Sequence, residues 1–327
     1  PYEYTVGKSM LYALSDDVRM RIVEPFTLPK RFQNKVNAFQ DKRISDTLVH
    51  DGWLEPFHEQ LKRLTIRKGD ALKFIKQNFD AGLYSPDQYN SRLHNIERLA
   101  QGQRGVNVQF KYVPNCGRLF TSLTSVARDL RPFLYVPGLT LAIVDVNSCQ
   151  PFEISASCAR ETGEYLPCLD ASLNGTFYDP FIGPGQTKQD VKKPVLSALF
   201  DRHTNPVRRE MNEMIKAVYP TMWDWVVRME KKHGHAWLPI QMQRLEGTLI
   251  LQRVCGDLFK RYPGEFFATI HDAVVCDESR AGEVSELIAF HALKMFGFAP
   301  QTDTKIVTLC DAKLEHTPLS WKLMNMA

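Results

Sequence analysis

The sequence predicts an α/β (α+β) fold, with a β-hairpin and further strands set among many helices, and three observations predict it. Phe266-Phe267-Ala268-Thr269-Ile270-His271-Asp272-Ala273-Val274-Val275-Cys276 is an apolar run rich in β-branched residues. It reads as a buried β-hairpin with His271-Asp272 at its tip. Leu139-Thr140-Leu141-Ala142-Ile143-Val144-Asp145 is a second apolar strand, and it ends on an aspartate. Much of the remaining chain carries apolar residues at three- and four-residue steps, the spacing of amphipathic helices.

Composition sets the bounds. With 327 residues the chain can bury a sizeable core in one large or two smaller domains. Apolar residues at 44% and charged residues at 24% are ordinary for a soluble globular protein. The formal net charge is only +4, so nucleic-acid binding would have to come from local patches. Seven cysteines form no CxxC pair, and the reading is reduced, intracellular and structural thiols. No apolar run approaches the ~18–20 residues of a membrane span, and no signal peptide is visible. The chain opens on Pro1, so a part preceding it is left open.

In order, Pro25, Pro29 and Lys30-Arg31 suggest loops before a helix. From Asp51 to about Gln103 the pattern is helical, through Trp53, Leu54, Phe57, Leu61 and Leu64, then Leu72, Phe74, Ile75 and Phe79. Ala81-Gly82 breaks it, and Ser85-Pro86-Asp87 restarts it at a helix N-terminus. Lys62, Arg63, Arg67, Lys68, Lys73, Lys76, Arg92, Arg98 and Arg104 spread over this region, either as a solvated face or as contacts to backbone phosphates. Val106 to Tyr112 alternates as a strand, and Gly117-Arg118-Leu119 follows. A short helix carries Arg128 and Arg131, and Pro137-Gly138 turns into the Asp145 strand. Residues 146–154 turn the chain and a helix starts near Ile154. Residues 163–187 read as loose, and Gly183-Pro184-Gly185-Gln186-Thr187-Lys188 as a plain loop without phosphate-loop spacing. Asp190 is expected to cap the helix carrying Lys192 to Phe200, with Pro194 in its first turn. One helix is expected over 207–230, its Trp and Met residues in the core. His233 and His235 form an H-x-H that is too sparse for a zinc site. Pro239 to Phe259 is a long amphipathic helix whose polar side offers Gln241, Gln243, Arg244, Glu246 and Gln252. After the hairpin come a helix from Glu283 to Met295 and a strand from Ile306 to Leu309.

A bare carboxylate in a buried strand is costly unless a cation neutralises it. Two such strands, each delivering one aspartate, suggest a two-metal site for phosphoryl transfer.

The order of these segments resembles the family A nucleic-acid polymerases, which include the repair-type DNA polymerases and the phage-type single-subunit RNA polymerases. Asp145 matches the first catalytic aspartate of their motif A. Lys188, Lys192 and Phe200 match the Arg, Lys and aromatic of motif B, and Ile270-His271-Asp272 matches motif C. Leu238-Pro239-Ile240-Gln241 resembles the P-I-Q that opens the helix before motif C, and Gly117-Arg118-Leu119 the G-R-L before motif A. Departures are Gln150 where the DNA enzymes carry a sugar-excluding glutamate, Phe200 for tyrosine, Asp201 for the following glycine, Ala273 for Glu or Ser, and Pro194 within motif B.

The resemblance implies a right-hand polymerase with an antiparallel-sheet palm, helical fingers and a helical thumb. The divisions would be an N-terminal thumb region at 1–113, palm at 114–160 and 238–327, and fingers at 161–237. It implies template-directed nucleotidyl transfer, DNA-dependent DNA synthesis first, without a proofreading exonuclease. Phage-type RNA synthesis or priming is the alternative, which the spacing from Asp145 to Ser155-Ala156 favours. Asp145, Asp272 and Lys192 would be catalytic, and Asp145, Asp272 and the Val146 carbonyl would hold two Mg²⁺ ions, with Mn²⁺ able to substitute. Lys188, Lys192, Phe200 and Gln150 would meet the nucleotide. Arg118, Gln241, Gln243, Arg244 and His271 would meet the primer-template. The expected partners are primer-template and nucleoside triphosphates and no membrane, with a clamp, primase or helicase left open. The expected place is the cytoplasm or nucleoid, or a virus- or plasmid-encoded intracellular setting. Two rivals from other classes are a metal-dependent nuclease or phosphohydrolase using the same aspartates, and an inactive nucleic-acid-binding protein.

Overall fold

A computed structural model describes residues 30–102 and 109–309, so the readings at Pro25, Pro29, Arg104 and Val106 to Val108 lie outside it. The N-terminal part holds α1 (Lys30–His50), α2 (Glu55–Leu61), β1 (Thr65–Ile66), α3 (Lys68–Asp80) and α4 (Pro86–Gly102). Lys30-Arg31 therefore opens a helix and does not precede one. Next come β2 (Phe110–Val113), β3 (Arg118–Thr121), a 3₁₀ stretch at Arg128–Phe133, β4 (Leu134–Tyr135) and β5 (Leu141–Val146). A helical stretch follows: α5 (Cys149–Thr162), α6 (Pro167–Leu173), α7 (Lys188–Phe200), α8 (Arg209–Val218), α9 (Pro220–His233) and α10 (Trp237–Gly247). A π-helical segment (Thr248–Val254) joins α10 to α11 (Cys255–Arg261). The chain closes with β6 (Phe267–Ile270), β7 (Ala273–Asp277), α12 (Ala281–Phe296) and β8 (Thr302–Ile306). This is an α+β protein, and no helix among the described residues is long and apolar enough to cross a membrane.

The sheet that organises the molecule has four antiparallel strands in the order β6-β7-β5-β8. Its two central strands bury residues on both faces: Leu141, Ala142, Ile143 and Val144 in β5, and Ala273, Val274, Val275 and Cys276 in β7. β8 lies three to four residues earlier than the expected Ile306–Leu309. As an edge strand of Thr302-Asp303-Thr304-Lys305-Ile306 it pairs on one side only and needs no apolar alternation, so the sequence gives no apolar signal for it. α12 packs against β5, β7 and the π-helical segment.

Several helix limits differ from the sequence reading for local reasons. α5 begins at Cys149, five residues early, because Pro151 is accommodated in its first turn. α6 occupies part of the stretch read as loose, opening on Pro167. The expected 207–230 helix is two helices, since Pro220 cannot continue α8 and instead starts α9. α7 begins at Lys188, so its cap is Thr187 and Asp190 is the reciprocal partner in a capping box, and Pro194 falls in the second turn. Met222, Trp223, Trp225 and Met229 are buried as expected, but Met211 is only half-buried and Met214 is exposed on the outer side of α8. Of the N-terminal cations, Lys62, Lys68, Lys76 and Arg92 are paired with Glu59, Glu97, Asp80 and Asp129. Arg63 reaches across to the Gly264 carbonyl beside the β6–β7 hairpin.

β3 meets α10 where two glycines touch. Gly117 adopts φ +66°, and its missing side chain admits the backbone of Arg244 at 3.3 Å from where a Cβ would stand. A Cβ on Gly247 would overlap the Gly117 carbonyl. Gly247→Ala should therefore cost about 1–3 kcal/mol by overpacking, read as a lower midpoint in urea denaturation with an unchanged slope.

Candidate active site

Two antiparallel strand ends bring the predicted aspartates together. Asp145 lies opposite Ala273 in the β5–β7 ladder, so Asp272, one residue earlier, stands at the same end of the sheet. The Val146 N–H donates to the Asp272 carbonyl at 3.3 Å, which ties the hairpin tip to the end of β5. His271-Asp272 is a two-residue turn between Ile270 and Ala273, and His271 has φ +55°. A hairpin loop this short calls for positive φ at its first position, where glycine is the relaxed choice, so a histidine here is held under local strain.

The electrostatics follow from this placement. Asp145 is open to solvent on one side, yet the surrounding protein and then the Asp272 charge push its carboxyl up, to about 7. Asp272 is also raised, chiefly by burial. The positive charge of Lys192 acts on both in the opposite sense. His271 is pulled down to about 4 by burial, then by Arg118 and Arg131, so it is neutral at pH 7. Its buried Nδ1 has no partner, and its ring meets Phe120 edge-on at 6.0 Å.

α7 supplies the cations. Lys192 is exposed and makes no ion pair among the described residues. Lys188, one turn earlier on the same face, reaches the Gly175 carbonyl at 3.1 Å and the Asn147 Oδ1 at 3.5 Å, two residues beyond Asp145. Phe200 ends the same helix, half-buried against the core. Gln150 is half-buried in the first turn of α5, which starts from Ser148 at φ +52°.

The expected nucleic-acid contacts are placed less uniformly. Arg118 donates from Nε and Nη2 to the two oxygens of Glu246 at 3.0 and 2.7 Å, so its fork is taken up inside the protein. Arg244 donates to the Asn115 carbonyl at 2.6 Å and remains exposed. Gln241 and Gln243 are half-buried on α10. Glu246, read as part of the polar side, is 2% exposed, because the Gly117–Gly247 crossing presses that turn of α10 onto β3.

Four residues were not singled out for the site by sequence. Asp303 sits opposite Asp145 on β8 and adds to the negative charge. Arg131 bears on both aspartates, and its buried Nε has no partner. Glu153 is fully buried with both carboxyl oxygens unpartnered, and burial, then Glu246, drive its carboxyl well above the ordinary range. Burial likewise pushes Glu246 up to about 7 against the pull of Arg118. Periodicity could not reveal these charges, since only the fold gathers them.

Among the described residues no group of three or more His, Cys, Asp or Glu side chains is arranged to hold a metal ion. The two carboxylates brought to one end of the sheet, Asp145 and Asp272, are hard oxygen donors of the kind that suits Mg²⁺.

No family model matches the chain, and no curated protein matches it significantly. Among solved structures, one match is the POL domain of Pol1 from M. smegmatis in complex with DNA primer-template and dNTP. The sequence identity is 13%, the TM-score 0.42, and the alignment covers 74% of this chain and 56% of that one. The chain thus spans a little over half the length of that neighbour. At this distance the likeness assigns neither a family nor a site.

Two consequences can be measured. Arg118→Ala would leave the buried Glu246 carboxyl without its counter-ion, so it should take up a proton at neutral pH, and the loss of stability read in urea denaturation should grow as the pH is raised above about 7. A carboxyl raised in the folded state binds more protons there than in the unfolded chain, so its contribution to stability is lost as pH rises from the ordinary value towards about 7. Asp145→Asn should therefore raise the melting temperature in chelator at about pH 8 and lose that advantage near pH 4.

Proposed function

We propose that this protein is a template-directed nucleotidyltransferase, most simply a DNA-dependent DNA polymerase. The observation that carries this reading is the pair Asp145 and Asp272, side by side at two strand ends and faced by the free cation Lys192. Two neighbouring carboxyls that both hold their protons above the ordinary range, Asp145 through burial and the Asp272 charge and Asp272 through burial, are a site suited to positive charge. Mg²⁺ would be held by Asp145, Asp272 and the Val146 carbonyl, and when bound would stabilise the attacking and leaving oxygens of an in-line displacement.

The chain's own residues then divide the work. Lys192, unpaired and on the open side, meets the triphosphate and balances the charge that develops as pyrophosphate leaves. Lys188, tethered to Asn147, aligns α7 with the end of β5 and offers its charge to the terminal phosphate. Phe200 and Gln150 flank the base and the sugar. Neutral His271 turns the hairpin so that Asp272 points into the site. Arg118, fixed by Glu246, holds the wall beside the primer end. In this reading the sheet, with α10 and α12, is the palm and α6 to α9 are the fingers.

The test is extension of a labelled primer on a DNA template with Mg²⁺, with dNTPs and rNTPs in parallel arms. Extension with dNTPs, abolished in Asp272→Ala and lowered by roughly a hundredfold or more in kcat by Lys192→Ala, is the expected outcome. Extension with rNTPs alone would move the protein to the RNA-synthesising branch. Hydrolysis of nucleic acid that survives Lys192→Ala, without extension, would overturn the reading in favour of a nuclease.

A further inference from the structure

The corner between α9 and α10 carries Lys231, Lys232, His233 and His235, all exposed, in the five residues that end one helix and approach the next. Cations in the last turn of α9 suit the helix dipole, which accounts for their sign. It does not account for the second feature. The exposed His233 ring stacks on Trp237 with centroids 4.5 Å apart and an interplanar angle of 17°, while Trp237 is itself braced against the core. The outer face of His233 is thus a flat, rigidly backed surface open to solvent between two lysines and a further histidine. Flat rings among cations are what unpaired nucleotides require, because every base has a face to stack and every link a phosphate to neutralise.

Position supports the same partner. Trp237, Gln241 and Arg244 fall at steps of four and three on α10, so they share one face; none of the three is buried, although Arg244 already donates to the Asn115 carbonyl and side-chain oxygen at 2.6 and 3.2 Å. The stripe runs from the corner to Gly247, where α10 crosses β3 beside Arg118. Ten residues of α-helix span about 15 Å, the length of roughly four stacked base steps. A strand lying along α10 from the catalytic wall would reach the corner within a few nucleotides.

We propose that the Lys231–Trp237 corner is a binding site for single-stranded nucleic acid, which takes the unpaired template beyond the duplex by stacking on His233 and by phosphate contacts to Lys231 and Lys232. The inference rests on the polymerase reading for its direction, while its chemistry needs only the corner itself.

The test is equilibrium anisotropy on labelled primer-templates, without Mg²⁺, comparing 5′ template overhangs of about two and about ten nucleotides. Wild-type protein should bind the long overhang more tightly. Lys231→Glu/Lys232→Glu should weaken the long-overhang complex roughly tenfold, leave the short-overhang complex nearly unchanged, and reduce the salt dependence of the former by about one unit of slope. His233→Ala should lose part of the overhang preference with little change in salt slope. These are surface substitutions, and an unchanged melting temperature checks the fold. Equal affinity of wild type and the double variant for the long overhang would overturn the inference while leaving the polymerase reading intact. Absence of any nucleic-acid binding by wild type would overturn both.

Discussion

The arrangement depends on a charge imbalance held at one end of a sheet. Asp145 and Asp272 are brought together by the β5–β7 register and by the Val146–Asp272 backbone bond, and Asp303 stands opposite on β8. Behind them Glu246 has Arg118 as its counter-ion, and Glu153 has none. The cations nearest the front, Lys192 and Arg131, influence the aspartates without neutralising them in ion pairs. Burying carboxyls this way costs stability, and in the proposed reading a bound cation offsets that cost.

That imbalance explains several otherwise separate features. α7 is anchored at its first turn, through the capping box and through Lys188 on Asn147 and Gly175, so the exposed Lys192 is presented from a fixed base. The glycine contact between β3 and α10 brings Glu246 close enough to take both arms of Arg118. The hairpin turn is strained at His271, whose neutrality keeps a further positive charge away from the aspartates.

Much of this was legible in the sequence. β5, β6 and β7 are short β-branched runs, and an aspartate at the end or tip of such a run is conspicuous because it has no reason to be there for packing. The lysine spacing on α7 could be read for the same reason, as two cations four apart. What could not be read was set by tertiary context. β8 is a polar edge strand without the alternation that marks a half-buried one. Glu246 looks like a solvent-facing residue of an amphipathic helix until two glycines bury it. Arg131 and Asp303 are ordinary surface charges in sequence and acquire meaning only beside Asp145. The division at Pro220 was available from proline chemistry, but the apolar steps on either side of it imitate one continuous helix.

The π-helical segment between α10 and α11 gives that long helix two phases. Wider turns over Thr248–Val254 let the upstream part aim Glu246 at Arg118 while the downstream part sets Leu258 into the core, with no loop between them. A periodic wheel drawn through all of Trp237–Arg261 therefore assigns wrong faces beyond residue 248. In aligning this helix with any regular counterpart, the insertion belongs inside the helix and not at its ends.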